Sequence, residues 1–389
     1  MHLVGMSSTH AMTEIVLLDS LDQSIAHYLL QKSPVMNAYQ TFEIVSDDLA
    51  LGLGMDPEAD DSSKRRRRRL VTRFNEVAVR SLSKMTPPSP SLLGELRSSA
   101  EQIDFLSIML NGPAYSRLVD AYADECGQKV HTHVSASLWP MLVGNIAAAR
   151  DVLSAVKGLG LASEVKRDLL ARYTAVNQLV RDDNPVTGLT RRLDISADAI
   201  LVAATLGYYF AFLLDREEYR TTDADKVRPM LRRALTDCAR MVRLLNDIGP
   251  SLLKARTCRD DLVRRITAAA AGTQARFDET LINVCTDDVT STRLEKDLAH
   301  GETNLFLAWL HLLPAPQAAP HFVHRLNFYS NTYRQSARSL HQTCKEIDHI
   351  TGRSDISIIL LRFLELHERL YANSFKESTG EYSGVPLDS

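Results

Sequence analysis

The stretch VRPMLRRALTDCARMVRLLNDIGPSLLK, residues 227–254, sets Met230, Leu231, Leu235, Met241, Val242 and Leu245 on one side of a 3.6-residue repeat. Gly249 and Pro250 then end the helix it predicts. The same apolar spacing recurs outward along the chain, at 92–110, 163–180 and 356–375. The breaks between such runs are short: LNGPAY at 110–115, VKGLGLAS at 156–163, RDDNPVTG at 181–188 and LLPAPQAAP at 312–320. No run alternates apolar and polar residues long enough to predict a sheet. No repeat of fixed period is present either, which lowers the case for a solenoid. The expected fold is therefore all-α, a single large helical bundle.

Composition agrees. The 389 residues are 45% apolar, with 17 Gly, 14 Pro and a net charge of −3, too little turn chemistry for an all-β fold and no basic surplus for a general nucleic-acid binder. The five cysteines, 126, 238, 258, 285 and 344, show no CxxC spacing and predict reduced thiols in a cytoplasmic protein. The first 18 residues lack the basic start of a signal peptide. The longest apolar run, 199–214, falls short of the roughly 20 residues that cross a bilayer and is read as a core helix. Three regions follow: an irregular N-terminal extension over 1–91, a bundle over 92–375 and a flexible tail over 376–389. Within the extension, the acidic and Arg-rich segment 56–69, with Arg65–Arg69, is expected to be a disordered loop. TPPSPS at 86–91 is a Pro-rich break.

Two polar groups stand out. In DAYADE, Asp120 and Asp124 are four residues apart and share a helical face, with Glu125 about 100° round. Carboxylates so placed suit a hard divalent cation, and a plain solvated face remains the alternative. Asn246, Asp247, Ser251 and Lys254 gather where an apolar helix breaks. They are set either to hold a metal and an anion or simply to cap the helix.

Taken together, DAYADE and, 126 residues on, NDIGPSLLK resemble the class I terpene synthases, in which an Asp-rich motif faces an NDxxSxxKE motif. Arg191-Arg192-Leu193-Asp194, Thr332-Tyr333-Arg334 and the aromatic stretch 305–310 fall in the family's order. The Asp-rich motif here is DxxxDE, Ser251 comes one residue late, and Ala255 stands at the family's Glu. The resemblance implies three Mg²⁺ ions: Asp120 and Asp124, with Glu125, holding two, and Asn246, Asp247 and Ser251 the third. It implies that Lys254, Arg191, Tyr333 and Arg334 bind the diphosphate of a C15 or C20 prenyl substrate. Tyr208, Phe212 and Trp309 would line the cavity in which the allylic cation cyclises. NDIGPSLLKAR is also similar to the second motif of squalene and phytoene synthases, at Asp247, Ile248, Gly249, Leu252 and Arg256. A non-catalytic helical partner protein is the contrasting expectation, and a homodimer is left open.

Other features have plainer readings. His131 and His133 point to different helix faces. Asp182-Asp183 reads as a turn pair, and Tyr208, Tyr209, Phe210 and Phe212 equally read as core. No P-loop, dinucleotide-binding, nucleophile-elbow or zincin motif is present.

Overall fold

The computed structural model describes residues 7–18, 21–50, 53, 62–101, 103, 130–181, 188–219, 224–285, 290–300 and 304–372. Among them the chain is a single all-α bundle with no strand. The helices are α1 (Ser7–Leu18), α2 (Gln23–Leu30), α3 (Ser33–Ala50), α4 (Ser62–Lys84), α5 (Pro90–Ala100), α6 (Val130–Ala155), α7 (Ala162–Arg181) and α8 (Leu189–Ala199). There follow α9 (Val202–Leu214), α10 (Ala224–Ile248), α11 (Pro250–Lys254), α12 (Arg256–Ala270), α13 (Phe277–Cys285), α14 (Thr292–His300), α15 (Ala315–Thr351) and α16 (Asp355–Ala372).

The helix read first from the sequence, α10, is the hub. It packs on α8, α9, α14, α15 and α16, and Leu231, Leu235, Met241, Val242 and Leu245 of its predicted face are buried. The apolar run at 199–214 divides at Ile200–Leu201. α8 and α9 meet there at 55°, and α9 is buried from Val202 and from Ala204 to Leu213. Among the described residues no single helix is long and apolar enough to cross a membrane.

The N-terminal region departs from expectation. α1–α4 are regular and belong to the bundle: α3 lies along α6, α4 along α7, and α1 against α16. The part of the Arg-rich segment within the described residues, 62–69, is helix rather than loop. Arginine is a good helix former, and α4 has its own apolar face in Leu70, Val71, Phe74, Val77, Ala78 and Leu82, all buried. Arg67 sits on the inner side and donates to Leu49 O. The Pro-rich break at 86–91 does end one helix and start the next, with Ser89 capping α5 and Pro90 at its first turn. α3 and α6 approach closely because residue 144 is glycine; a Cβ there would lie 2.5 Å from the Phe42 ring.

Candidate functional site

A cavity of about 300 Å³ lies between α1, α3, α9, α10 and α16. Its walls are mostly apolar, with Val16, Leu17, Val202, Leu206, Val242 and Ile359. On α16, Phe363, His367 and Tyr371 are four residues apart, so their rings form a ladder down one wall, with centroids 4.3 and 5.9 Å apart. Burial holds the His367 imidazole below its ordinary value. A neutral ring with its proton on Nδ1 donates to Phe363 O at 2.7 Å, leaving Nε2 as an acceptor.

Polar groups gather at the end where Asp47 is exposed, which marks the mouth. Asp47, Arg243, Asn246 and Tyr371 line this end. Behind it an ionic network ties the end of α10 to α14 and the segment after it. Asp247 is fully buried and accepts from Arg243 Nε and Nη2 at 3.1 and 3.0 Å and from Leu305 N at 2.8 Å. Burial pushes its carboxyl up, against the opposing pull of Arg243. Arg293 donates to Asn246 O and Oδ1, both at 2.6 Å, and its guanidinium lies 4.9 Å from the Tyr371 ring. Asn304 bridges Asp247 O at 2.9 Å and Asp297 Oδ2 at 2.7 Å.

Of the polar and aromatic residues singled out in the sequence, Asn246 and Tyr209 line this cavity among the described residues. Asp120, Asp124 and Glu125 lie outside the described residues, as do Asp182, Asp183, the tail 376–389 and the His131 and His133 side chains. Asp247 stands behind the cavity as the clamp just described. Ser251, in α11, is half-buried and not on the cavity wall. Lys254 pairs with Glu368 at 2.7 Å, and Tyr333 donates to the same carboxylate, joining α11, α15 and α16. Arg334 bonds back along its own helix, to Ser330 O and Asn331 Oδ1. Tyr208 donates to Lys32 O and stacks edge-on with Phe212, both in the core. Trp309 is half-buried at a left-handed turn with φ 69°. Arg191 faces a separate groove. Lys254 and Tyr333 thus meet at Glu368, whereas Arg334 is held along its own helix and Arg191 lies at the separate groove.

The donor chemistry bears on the expected Mg²⁺. The Asn246 side-chain oxygen and the Asp247 carboxylate are spent on guanidinium and amide donors. Among the described residues no three His, Cys, Asp or Glu side chains gather as a ligand set. In this arrangement Asn246 and Asp247 do not fit a metal ion, and no step through one follows from them.

The residues that sequence reasoning passed over are Asp47, Arg243, His367 and Tyr371. Arg243 was visible three residues before Asn246, but its partner was not. The comparisons with known protein families, curated proteins and solved structures find no match to this chain.

Proposed function

We propose that this protein binds an elongated apolar ligand of the isoprenoid class in the cavity beneath α1, its polar end at the Asp47–Arg243–Asn246 mouth. The observation that carries this reading is the cavity itself: about 300 Å³, mostly apolar in its lining, with Asp47, Arg243 and Asn246 among its polar side chains. That size lies at the small end of the range for small-molecule sites. The α16 wall from Ile359 to Tyr371 is twelve residues, about 18 Å long, which suits an extended chain. The isoprenoid class comes from the likeness of DAYADE and NDIGPSLLK to the terpene synthases. Among the described residues, Arg243 at the mouth and Arg293 behind it stand against Asp47 at the mouth and Asp247 and Asp297 behind it. Two positive charges against three negative ones favour an uncharged head over a bare diphosphate.

One observation favours a second, catalytic reading. Asn246 is both the first residue of the NDIGPSLLK motif and a cavity-wall residue. Under that reading the ligand is a prenyl diphosphate, ionised with Mg²⁺ and then cyclised, or condensed as by squalene and phytoene synthases. The charge at the mouth is then offset by metal ions held with residues of the DAYADE segment.

One set of measurements tests both. Farnesol and geranylgeraniol are expected to raise the melting temperature, as any ligand of the folded state does. Leu206→Trp, which fills the cavity, is expected to remove the shift. In parallel, the protein is incubated with Mg²⁺ and geranyl, farnesyl or geranylgeranyl diphosphate, and released diphosphate and products are followed by mass spectrometry. A cyclic product supports the lyase reading, and a C30 or C40 product the condensing one. Binding without turnover leaves the binding function alone. The absence of any ligand-induced shift together with no turnover overturns both.

A further inference from the structure

A second concave surface lies across the bundle, between α4, α7 and α8. It encloses about 630 Å³ and shares no residue with the apolar cavity. Three guanidinium groups line it, Arg80 from α4, Arg181 from α7 and Arg191 from α8, beside the side chains of Asn177 and Gln178. Among the described residues its one carboxylate, Glu76, pairs with Arg181 at 2.9 Å and with Arg73 at 3.7 Å. Arg80 and Arg191 are exposed, and neither makes a side-chain hydrogen bond or ion pair among the described residues. Among the described residues, the two guanidiniums of Arg80 and Arg191 face one groove with no carboxylate paired to either.

The surroundings extend that charge. On α4 the outer stripe runs Arg65 or Arg66, Arg69, Arg73, Glu76, Arg80, at helical spacings of four or three, then four, three and four residues, and within it Arg73 pairs with Glu95 and Glu76. From Arg66 to Arg80 is fourteen residues, about 21 Å of helix. The arginine run that the sequence suggested was a loop is therefore helical, and its exposed Arg66 and Arg69 add positive charge to the helix that carries Arg80. Among the described residues no aromatic side chain lines the groove to stack on a nucleobase. Guanidinium forks and side-chain amides are donors matched to phosphate oxygens.

We propose that this groove binds a small oligophosphate, recognised through its phosphate chain and not through any base. Affinity rises from phosphate to diphosphate to tripolyphosphate, as each added group reaches a further guanidinium of the groove. It falls as salt is added, because the groove is open to solvent.

The test is isothermal titration calorimetry of the full chain with sodium phosphate, diphosphate, tripolyphosphate and ATP at low ionic strength. The expected result is saturable binding of tripolyphosphate, with ATP of similar affinity. Arg80→Gln/Arg191→Gln is expected to lose about tenfold or more, the loss of two charge-assisted contacts. Arg264→Gln, exposed on α12 and remote in sequence from the groove, is expected to match the parent. The helical circular dichroism spectrum checks that each variant is folded. No saturable binding, or binding that the double variant leaves unchanged, overturns the proposal. So does ATP binding tenfold tighter than tripolyphosphate, which requires a base pocket. Adsorption to phosphatidylserine vesicles with no response to tripolyphosphate overturns it in favour of a membrane surface.

Discussion

Arg172 shows how much of this bundle rests on single buried charges. Its side chain is 1% exposed in α7 and pairs with Glu43 of α3. Ser46 Oγ and Asn145 Nδ2 also donate to the Glu43 carboxylate, at 2.5 and 3.2 Å. Tyr39 and Tyr173 complete the chain, with Tyr39 donating to Tyr173 and Tyr173 to Asn145 Oδ1. The cluster thus pins α3, α6 and α7 together through polar contacts, and a lone Glu43 would be stranded. Arg172→Met is expected to cost about 3–5 kcal/mol in urea unfolding, the range for breaking a buried pair from one side. Replacing both partners, with Glu43→Leu added, is expected to recover much of that loss, because no unpaired charge is left behind. A double variant no more stable than Arg172→Met would mean the pair is not where the loss arises. His367 gives a pH-dependent counterpart. Its folded-state pKa is depressed by burial, so the unfolded chain takes up a proton more readily. Its contribution is therefore intact above the ordinary histidine value of about 6.5 and is lost as the pH falls below it toward the depressed one. Between pH 7 and pH 5, the melting temperature of the parent is expected to drop further than that of His367→Phe. Parallel pH profiles would remove His367 from the account.

The link between α10 and α11 shows what a single element boundary demands. Gly249 takes φ 89° and ψ 153°, a region essentially confined to glycine, and a Cβ there would lie 3.3 Å from Arg293 Cγ. That backbone turns the chain from α10 into α11 where the Arg293 side chain packs against it. Gly249→Ala is expected to destabilise by about 1–3 kcal/mol, read as a lower urea midpoint at unchanged slope. Unchanged stability would show that the turn relaxes without strain. At this scale the sequence was largely legible. The period of residues 227–248 gave α10, and TPPSPS gave the gap before α5, because apolar spacing and proline act locally. The run Arg65–Arg69 was misread for an equally physical reason. Five adjacent charges look solvated, yet a helix puts them on different sides, where the Arg67 stem turns inward and Leu70, Val71 and Phe74 anchor the rest. NDIGPS was read as both cap and ligand set. Its Asp247 proves to be a buried clamp, because Arg243 one turn earlier reaches it.

At the scale of the whole molecule, the sites were the least legible part. The cavity joins Asp47, Arg243 and Tyr371, brought together from α3, α10 and α16, and no local pattern announces a meeting of residues so far apart in sequence. The groove likewise needs Arg80, Arg181 and Arg191 from three helices. The two sites share no side chain, but one element stands between them: α7 lines the groove and packs against α9, which lines the cavity. The contact includes Val165 Cγ2, 3.7 Å from where a Cβ on Gly207 would lie, so the helices meet through small, close-packed surfaces. Such a contact transmits a shift only if it has two arrangements, and here both faces are closely packed. The two ligands are therefore expected to stabilise independently. At a hundred times its Kd each adds about 2.7 kcal/mol. An apolar alcohol and tripolyphosphate together should give the sum to within about 0.5 kcal/mol. A departure beyond 1 kcal/mol, read from urea unfolding with neither, either and both ligands, would make α7 and α9 a coupled pair, and the affinity of each ligand would then depend on the other by the same factor.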